Sequence, residues 1–292
     1  MKIIHHRVPE TTLRFDRYCS EHFAMLGSLK RSKKWIKDGH ILLNQRKAET
    51  GRFLKNGDLI TIKIPQSILE PWNAKLPVLY EDDFLAVVDK PPGMMVHSNE
   101  QKSLRNALLY ALQTSSQADA LVQPEPVHRL DRRTQGLILV AKTDGARKAL
   151  AQMLEAHQIR KQYECLVVGK AVNGESHLLL DGKVAYSSWQ VLKVTPSHFT
   201  GWISHLSVEI QTGRQHQIRR HLLDAGVPVL GDEMYCIGTP LRSKGLFLCS
   251  TLLQFEHPMT HQELHVQLPT PTKFEKRWEY EQKMIEKSHS QP

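Results

Sequence analysis

Three prolines, Pro65, Pro71 and Pro77 in PQSILEPWNAKLP, interrupt every periodic pattern between residues 65 and 77. The chain is therefore expected to fold as two bodies joined by a linker. The piece before the break is too short to bury a robust core by itself. The piece after it, about 200 residues, is a comfortable single domain. Hydrophobic residues make up 40% of the whole, enough for a real core and too many for a disordered chain.

Charge divides at the same place. The formal net charge is +9, but residues 1–65 hold 14 of the 39 Lys and Arg against 6 of the 30 Asp and Glu, leaving +8 there and +1 in the remainder. Such an excess favours an anionic partner. No apolar run approaches the roughly 18–20 residues of a membrane span. MKIIHHRVPE has no apolar stretch long enough for a signal peptide. The scattered Cys19, Cys165, Cys236 and Cys249 form no CxxC pair, which argues against a disulfide scaffold or a cysteine zinc site. A soluble cytoplasmic protein is expected, monomeric by default.

The small segment reads helix, helix, short strands. Thr11 or Thr12 can cap a first helix running through Arg17 toward Met25. Ser28 can cap a second, LKRSKKWIKD, stopped at Gly39. At about 100° per residue, Lys30, Lys33, Lys34 and Lys37 share one face, while Leu29, Trp35 and Ile36 point elsewhere and can pack inward. A lysine face can be a plain solvated surface, but several lysines in so basic a segment, with Arg31 beside them, point to phosphate contact. The order of marks resembles the S-four RNA-binding domain: Arg14-Phe15-Asp16, Ser32-Lys33-Lys34, Gly39, Leu43-Asn44 and Gly57-Asp58, over about residues 11–62. That resemblance implies RNA as partner.

In the larger piece, DFLAVVDK reads as a buried strand followed by a Pro91-Pro92-Gly93 turn, and SLRNALLYAL as a helix capped by Ser103. Leu137–Ala141 reads as a strand, and Asp144 as the cap of a helix with Ala146, Ala149, Leu150, Met153 and Leu154 inward. Asp131 therefore falls on an irregular polar loop, HRLDRRTQG, just ahead of a buried strand, where a side chain can be presented into a cleft. An ionised carboxylate there can be a nucleophile, a base or a metal ligand. Among Arg129, Arg132 and Arg133 it can equally be half of a structural ion pair.

YECLVVG alternates as a strand carrying Tyr163. VEIQTGRQHQIRRHLLDAG reads as strand, Thr-Gly turn and helix, with Arg214 at the helix start and Gly226 as its stop. Arg219 and Arg220, at mid-helix, can be simple surface charge. His257, His261 and His265 recur every four residues, as metal ligands on one helix face would, but QELHVQLP alternates like a strand and separates them. No metal is expected.

His128-Arg129-Leu130-Asp131 with Thr134, Gly136, Ala141 and Lys142 resembles the signature of the RluA-type pseudouridine synthases. Asp89-Lys90-Pro91 with Gly93, Val96 and His97 matches upstream. Downstream come Lys161-x-Tyr163, the block Gly213-Arg214-Gln215-His216-Gln217-Ile218-Arg219 with His221, Gly226, Pro228, Gly231-Asp232 and Tyr235, and Phe255-Glu256-His257-Pro258. One departure stands out: Gln135 occupies the place where the family usually has Ser.

The resemblance implies an α+β fold, with a largely antiparallel mixed sheet in the catalytic domain and the small helix-helix-strand domain appended. The expected boundaries are residues 11–64 for the RNA-binding domain, 65–77 for the linker, 78–282 for the catalytic domain and 283–292 for a fraying tail. The implied activity is isomerisation of uridine in structured RNA, ribosomal or transfer, to pseudouridine, without cofactor, nucleotide or membrane. Asp131 is implied as the catalytic carboxylate, acting at C6 of the base, at C1′, or on a C2′ proton. Arg214 is implied to pair with Asp131, Tyr163 to lie against the uracil, Arg129 to fill the stack vacated by a flipped base, and Ile218 and Lys161 to contact substrate. Lys30, Arg31, Lys33, Lys34 and Lys37 are the expected RNA contacts of the small domain. Two rivals remain: a catalytically silent RNA-binding protein on the same fold, and a glycosidase-like enzyme, which would want a second carboxylate near Asp131.

Overall fold

The basic segment gains a strand that its residue pattern hides. In the computed structural model, which describes residues 2–23, 25–26, 28–64, 72–97, 102–237 and 245–289, β1 (Lys2–Arg7) pairs antiparallel with β3 (Leu59–Ile64), which pairs in turn with β2 (Ile41–Leu43). The small domain therefore begins ahead of residue 11. KIIHHR alternates poorly, and its pairing is set by β3: Ile4 lies opposite Ile62 and His6 opposite Ile60. Helices α1 (Phe15–His22) and α2 (Leu29–Lys37) cover this sheet, enclosing Phe15, Tyr18, Leu26, Ile36, Ile41, Ile60 and Ile62.

Ser28 caps α2 as its sequence suggests, its Oγ accepting from Arg31 N at 3.2 Å, and Gly39 ends it at φ +77°. Helix α1 starts later than expected, from Arg14, without a side-chain cap; Thr11 instead accepts from Leu13 N within the preceding loop. Two of the marks far apart in the chain meet: Asn44 Nδ2 donates to Asp58 Oδ1 at 2.8 Å, and Asn44 Oδ1 accepts from Leu59 N.

The larger piece is built on a sheet of ten strands. They are β4 (Val78–Glu81), β5 (Leu85–Lys90), β6 (Ala120–Pro126), β7 (Gln135–Thr143), β8 (Arg160–Val168), β9 (Gly174–Ser176), β10 (Ser187–Ser197), β11 (Gly201–Ile210), β12 (Leu248–Glu256) and β13 (Glu263–Gln267). The order is β4-β5-β7-β12-β8-β11-β10-β9, with β6 also on β7 and β13 also on β12. All pairings are antiparallel except β7 with β12. This is the α+β fold with a largely antiparallel sheet.

Strand β7 explains its unbroken apolar run. Ile138 and Val140 pack on one face, against Tyr163 and Leu248, while Leu137, Leu139 and Ala141 pack on the other, against Leu150 and Phe255. The helices are α3 (Leu104–Ala111), α4 (Asp144–Glu155), α5 (Gln217–Asp224) and α6 (Thr272–His289). Ser103 precedes α3, but its hydroxyl makes no cap bond. The cap of α4 is Thr143, accepting from Ala146 N at 3.2 Å, because β7 runs through to that residue and leaves Asp144 in the first turn. Helix α6 extends to His289, so most of the expected tail is helical. Among the described residues no helix is long and apolar enough to cross a membrane.

The two domains touch. Arg31 Nη1 of α2 donates to Glu125 Oε1 of β6 at 3.0 Å, Arg105 reaches the same oxygen at 3.4 Å, and Val122 packs against the small domain's core. Most of the linker, residues 65–71, falls outside the described residues.

Candidate active site

The loop carrying Asp131 is pinned at both ends. At its start, Val127 N donates to Leu139 O and Leu139 N donates to His128 Nε2, each at 3.0 Å. Burial and the neighbouring Lys161 push the His128 ring down to about 4, so it is neutral and structural. At the other end Thr134 N donates to Asp131 O at 3.1 Å. Gly136, at φ +114°, follows where β7 crosses β12; a Cβ there would stand 2.2 Å from Ser250 O. Only glycine fits.

A second turn clasps the loop from below. Gly93 N donates to Arg132 O at 2.7 Å and Arg132 Nε returns a bond to Gly93 O at 3.1 Å. Lys90 is fully buried, its Nζ donating to Pro91 O, Met94 O and Arg132 O. Burial pushes this ammonium down to about 8, opposed by the charges of Asp131 and Asp89. The Asp89-Lys90-Pro91 block and the Asp131 loop are thus one construction.

Asp131 faces a cleft lined by Arg129, Leu130, Thr134, Tyr163, Ile218 and Leu248, among others. Arg219 Nη1 donates to Asp131 Oδ2 at 3.0 Å, and His216 Nε2 lies 3.6 Å from Oδ1. The expected partner, Arg214, does not pair with Asp131. It lies in the turn before α5, lines the cleft, and donates from Nε to Val184 O at 2.9 Å. The reason is where the helix starts: His216, at φ 54°, is the residue before it, so Arg214 lies outside and Arg219 is carried on the inner face. Arg219 is buried, not surface charge.

Gln217, also buried, fixes this turn. Its Oε1 accepts from Thr212 Oγ1 and Arg214 N, and its Nε2 donates to Tyr186 O and Ser187 Oγ. Arg219 is held from behind by Asp232, whose Oδ2 accepts from Nε at 2.6 Å and whose Oδ1 accepts from Nη2 at 2.8 Å. Burial alone would lower the guanidinium's affinity for its proton, but the bonds to Asp232 and Asp131 raise it. Asp232 and its turn were readable only as family marks; nothing in their charge or periodicity announces a tie to Asp131.

Tyr163, on β8 opposite Ser250, is buried at the cleft wall. Burial, with the charge of Asp131 adding and Ser250 opposing, pushes its phenol well above the usual range. It stays protonated. Ile218 also lines the cleft, and Arg129 stands exposed there with no ion pair among the described residues. Lys161 shares the Tyr163 face of β8 but does not line the cleft; burial pushes its ammonium down. Gln135 points to the other face, toward Cys249 Sγ at 3.7 Å, away from the cleft.

On α2, Lys30, Lys34 and Lys37 are exposed. Arg31 is bonded to Glu125, and Lys33 lies 3.7 Å from the buried Asp16. The three spaced histidines are apart in role as well as place. His257 Nδ1 accepts from Met259 N and Thr260 N, His261 pairs with Glu256, and His265 lies on β13. Among the described residues no cluster of His, Cys, Asp and Glu could hold a metal ion.

The family model described as RNA pseudouridylate synthase matches residues 84–224. The chain is 30% identical to a Ribosomal large subunit pseudouridine synthase D of Xanthomonas campestris, over 88% of this chain and 86% of that protein. It is 30% identical to a protein of the same name from Pseudomonas aeruginosa, over 85% of each. An uncharacterized RNA pseudouridine synthase of Chlorobaculum parvum is 32% identical over 88% of this chain and 86% of its own. In fold it is similar to human RNA Pseudouridylate Synthase Domain Containing 1, with TM-score 0.57 and 21% identity, over 70% of this chain and 87% of that one.

Proposed function

The chain belongs to the RluA-type RNA pseudouridylate synthase family, and from that premise we propose that it modifies uridines of large-subunit ribosomal RNA with Asp131 as its catalytic carboxylate. As an RNA pseudouridine synthase it is an isomerase: the N1–C1′ bond breaks, C5 bonds to C1′, C5 gives up its proton and N1 gains one. Nothing is oxidised or reduced. The substrate proposal follows from the names of the relatives.

The observation that carries the site is the pair Asp131–Arg219 in a cleft walled by Tyr163 and Ile218. Whether the carboxylate acts at C6, at C1′ or on a C2′ proton, it must be held in one direction, and the 3.0 Å bond from Arg219 does that. Tyr163 supplies a flat face for the uracil. Its phenol keeps its proton and so is no base for the C5 proton, which leaves stacking as its role in the resting site. A uridine inside a stem must leave the stack to enter such a cleft. The free guanidinium of Arg129 is in place to fill the gap. The exposed Lys30, Lys34 and Lys37 are suited to hold the surrounding phosphates, in the S-four-like manner, and the cytosol is where such RNA is met.

The test is a map of pseudouridine in RNA from cells lacking the protein. Large-subunit ribosomal RNA is expected to lose the modification at one or a few sites, with wild-type protein restoring them and Asp131→Ala not. An unchanged map, or full restoration by Asp131→Ala, would remove this reading and favour a silent RNA-binding protein.

A further inference from the structure

Asp232 does not line the cleft, yet Arg219 ties it to the cleft. It is 3% exposed. Its two oxygens take Nε and Nη2 of Arg219 at 2.6 and 2.8 Å, leaving Nη1 for Asp131 at 3.0 Å. Oδ1 also accepts from Met234 N and Tyr235 N, at 3.0 and 3.1 Å. That turn brings the Tyr235 ring to 4.9 Å from the guanidinium and its hydroxyl to 3.0 Å from His216 Nδ1. The neighbouring Glu233 accepts from Arg133 of the Asp131 loop at 2.6 Å. One cation is therefore gripped along two edges and one face, and serves two carboxylates.

We propose that Asp232 is a positioning residue that aims Arg219 at Asp131 and draws off part of its charge, leaving the Asp131 carboxylate reactive. The inference rests on the reading of Asp131 as the catalytic group. A carboxylate facing an undivided guanidinium is more stable as an anion and so a weaker nucleophile or base. Sharing Arg219 with Asp232 keeps the direction of the bond while limiting that stabilisation. Without Asp232, the fork is free to turn both edges onto Asp131.

Other charged and titratable groups face the same carboxylate. Lys90 lies beneath Asp131, Arg129 stands at the cleft, and Tyr163 faces it from β8. His216 lies beside it, its ring pushed below the ordinary value by burial first, with Arg219 and Arg129 adding and Asp131 and Asp232 opposing. Arg133 and Glu233 flank Asp232. Loss of the Asp232 charge moves His216 in the same direction as Asp131, so the two effects do not cancel.

The experiment follows the rate of pseudouridine formation under single-turnover conditions from about pH 5 to 9. The probe is ribosomal RNA prepared from cells lacking the protein, treated with wild type, Asp232→Asn, Asp232→Ser and Asp131→Ala. Asp232→Asn is expected to move the acid-side midpoint of the rate down by about one pH unit. It should also lower the rate at neutral pH about tenfold, with RNA affinity changed by less than about twofold. Where Asp232→Asn does not fold, Asp232→Ser carries the test, since its hydroxyl can still accept from Met234 N and Tyr235 N. A plain structural defect lowers the rate at every pH and leaves the midpoint in place, and that result in a folded variant overturns the proposal. If Asp131→Ala is inactive and the midpoint does not move, the role of Asp232 alone fails. If Asp131→Ala still makes pseudouridine, or wild type makes none, the reading of Asp131 fails and takes this one with it.

Discussion

Arg219 reaches Asp131 Oδ2 at 3.0 Å from the buried face of helix α5, while Arg214 turns away to Val184 O at 2.9 Å. The two arginines line the same cleft, so their substitutions separate aiming from lining. Arg219→Ala leaves a half-buried carboxylate unaimed and should lower single-turnover pseudouridine formation about 100-fold or more. Arg214→Ala removes a backbone tie and a cleft wall, and a loss of about tenfold is expected. Equal losses, or a larger one from Arg214→Ala, would reverse the assignment.

Gly136 is a conformational requirement of the loop that carries Asp131. Its φ of +114° is foreign to other residues, and an added Cβ would meet Ser250 O at 2.2 Å. Gly136→Ala must therefore push β7 away from β12 just beside Tyr163. A destabilisation of about 3 kcal/mol or more is expected, measurable as a fall in the urea midpoint. Gly57→Ala, with positive φ but open space around it, should cost about 1 kcal/mol. A milder effect at Gly136 than at Gly57 would contradict the close approach of the two strands.

Much of this site was legible because its residues sit on short, local patterns. The Asp131 loop is marked by its polar run ahead of an apolar strand, and the ends of α2 and α5 by Ser28, Gly39 and Gly226. Strand β1 was not legible, because KIIHHR borrows its pairing from β3 more than fifty residues later. The pairing of Arg219 was not legible for a related reason. Its burial depends on Asp232, delivered by a separate turn, and on a helix that begins only after the left-handed His216.

The basic helix divides by partner. Lys30, Lys34 and Lys37 are exposed, whereas Arg31 is bonded to Glu125 of the larger domain. Replacing the three lysines by alanine should weaken RNA binding and reduce the slope of log affinity against log salt by about two to three. Glu125→Ala should leave that slope unchanged, because it loosens the joint between domains and removes no phosphate contact. Binding measured across a range of salt, with the same RNA for each variant, distinguishes them. An unchanged slope for the lysine variant would dismiss α2 as a phosphate-binding face.

His128 makes the Asp131 loop sensitive to acid. Its Nε2 accepts from Leu139 N at 3.0 Å, which only a neutral ring can do. Burial first, and the charge of Lys161 second, hold its pKa down to about 4 from the ordinary 6.5, against an opposing backbone bond to Arg129. Between those values the unfolded chain binds a proton that the folded chain refuses, so stability falls as pH falls through that window. The contribution lost reaches about 3 kcal/mol near the lower end. Urea unfolding of wild type and His128→Gln between about pH 7 and 4 measures it, because the Gln carbonyl can still accept from Leu139 N without titrating. The stability difference between the two proteins should shift in favour of His128→Gln as the pH drops. Parallel curves would mean that the buried ring already carries its proton, and that the start of the Asp131 loop is held some other way.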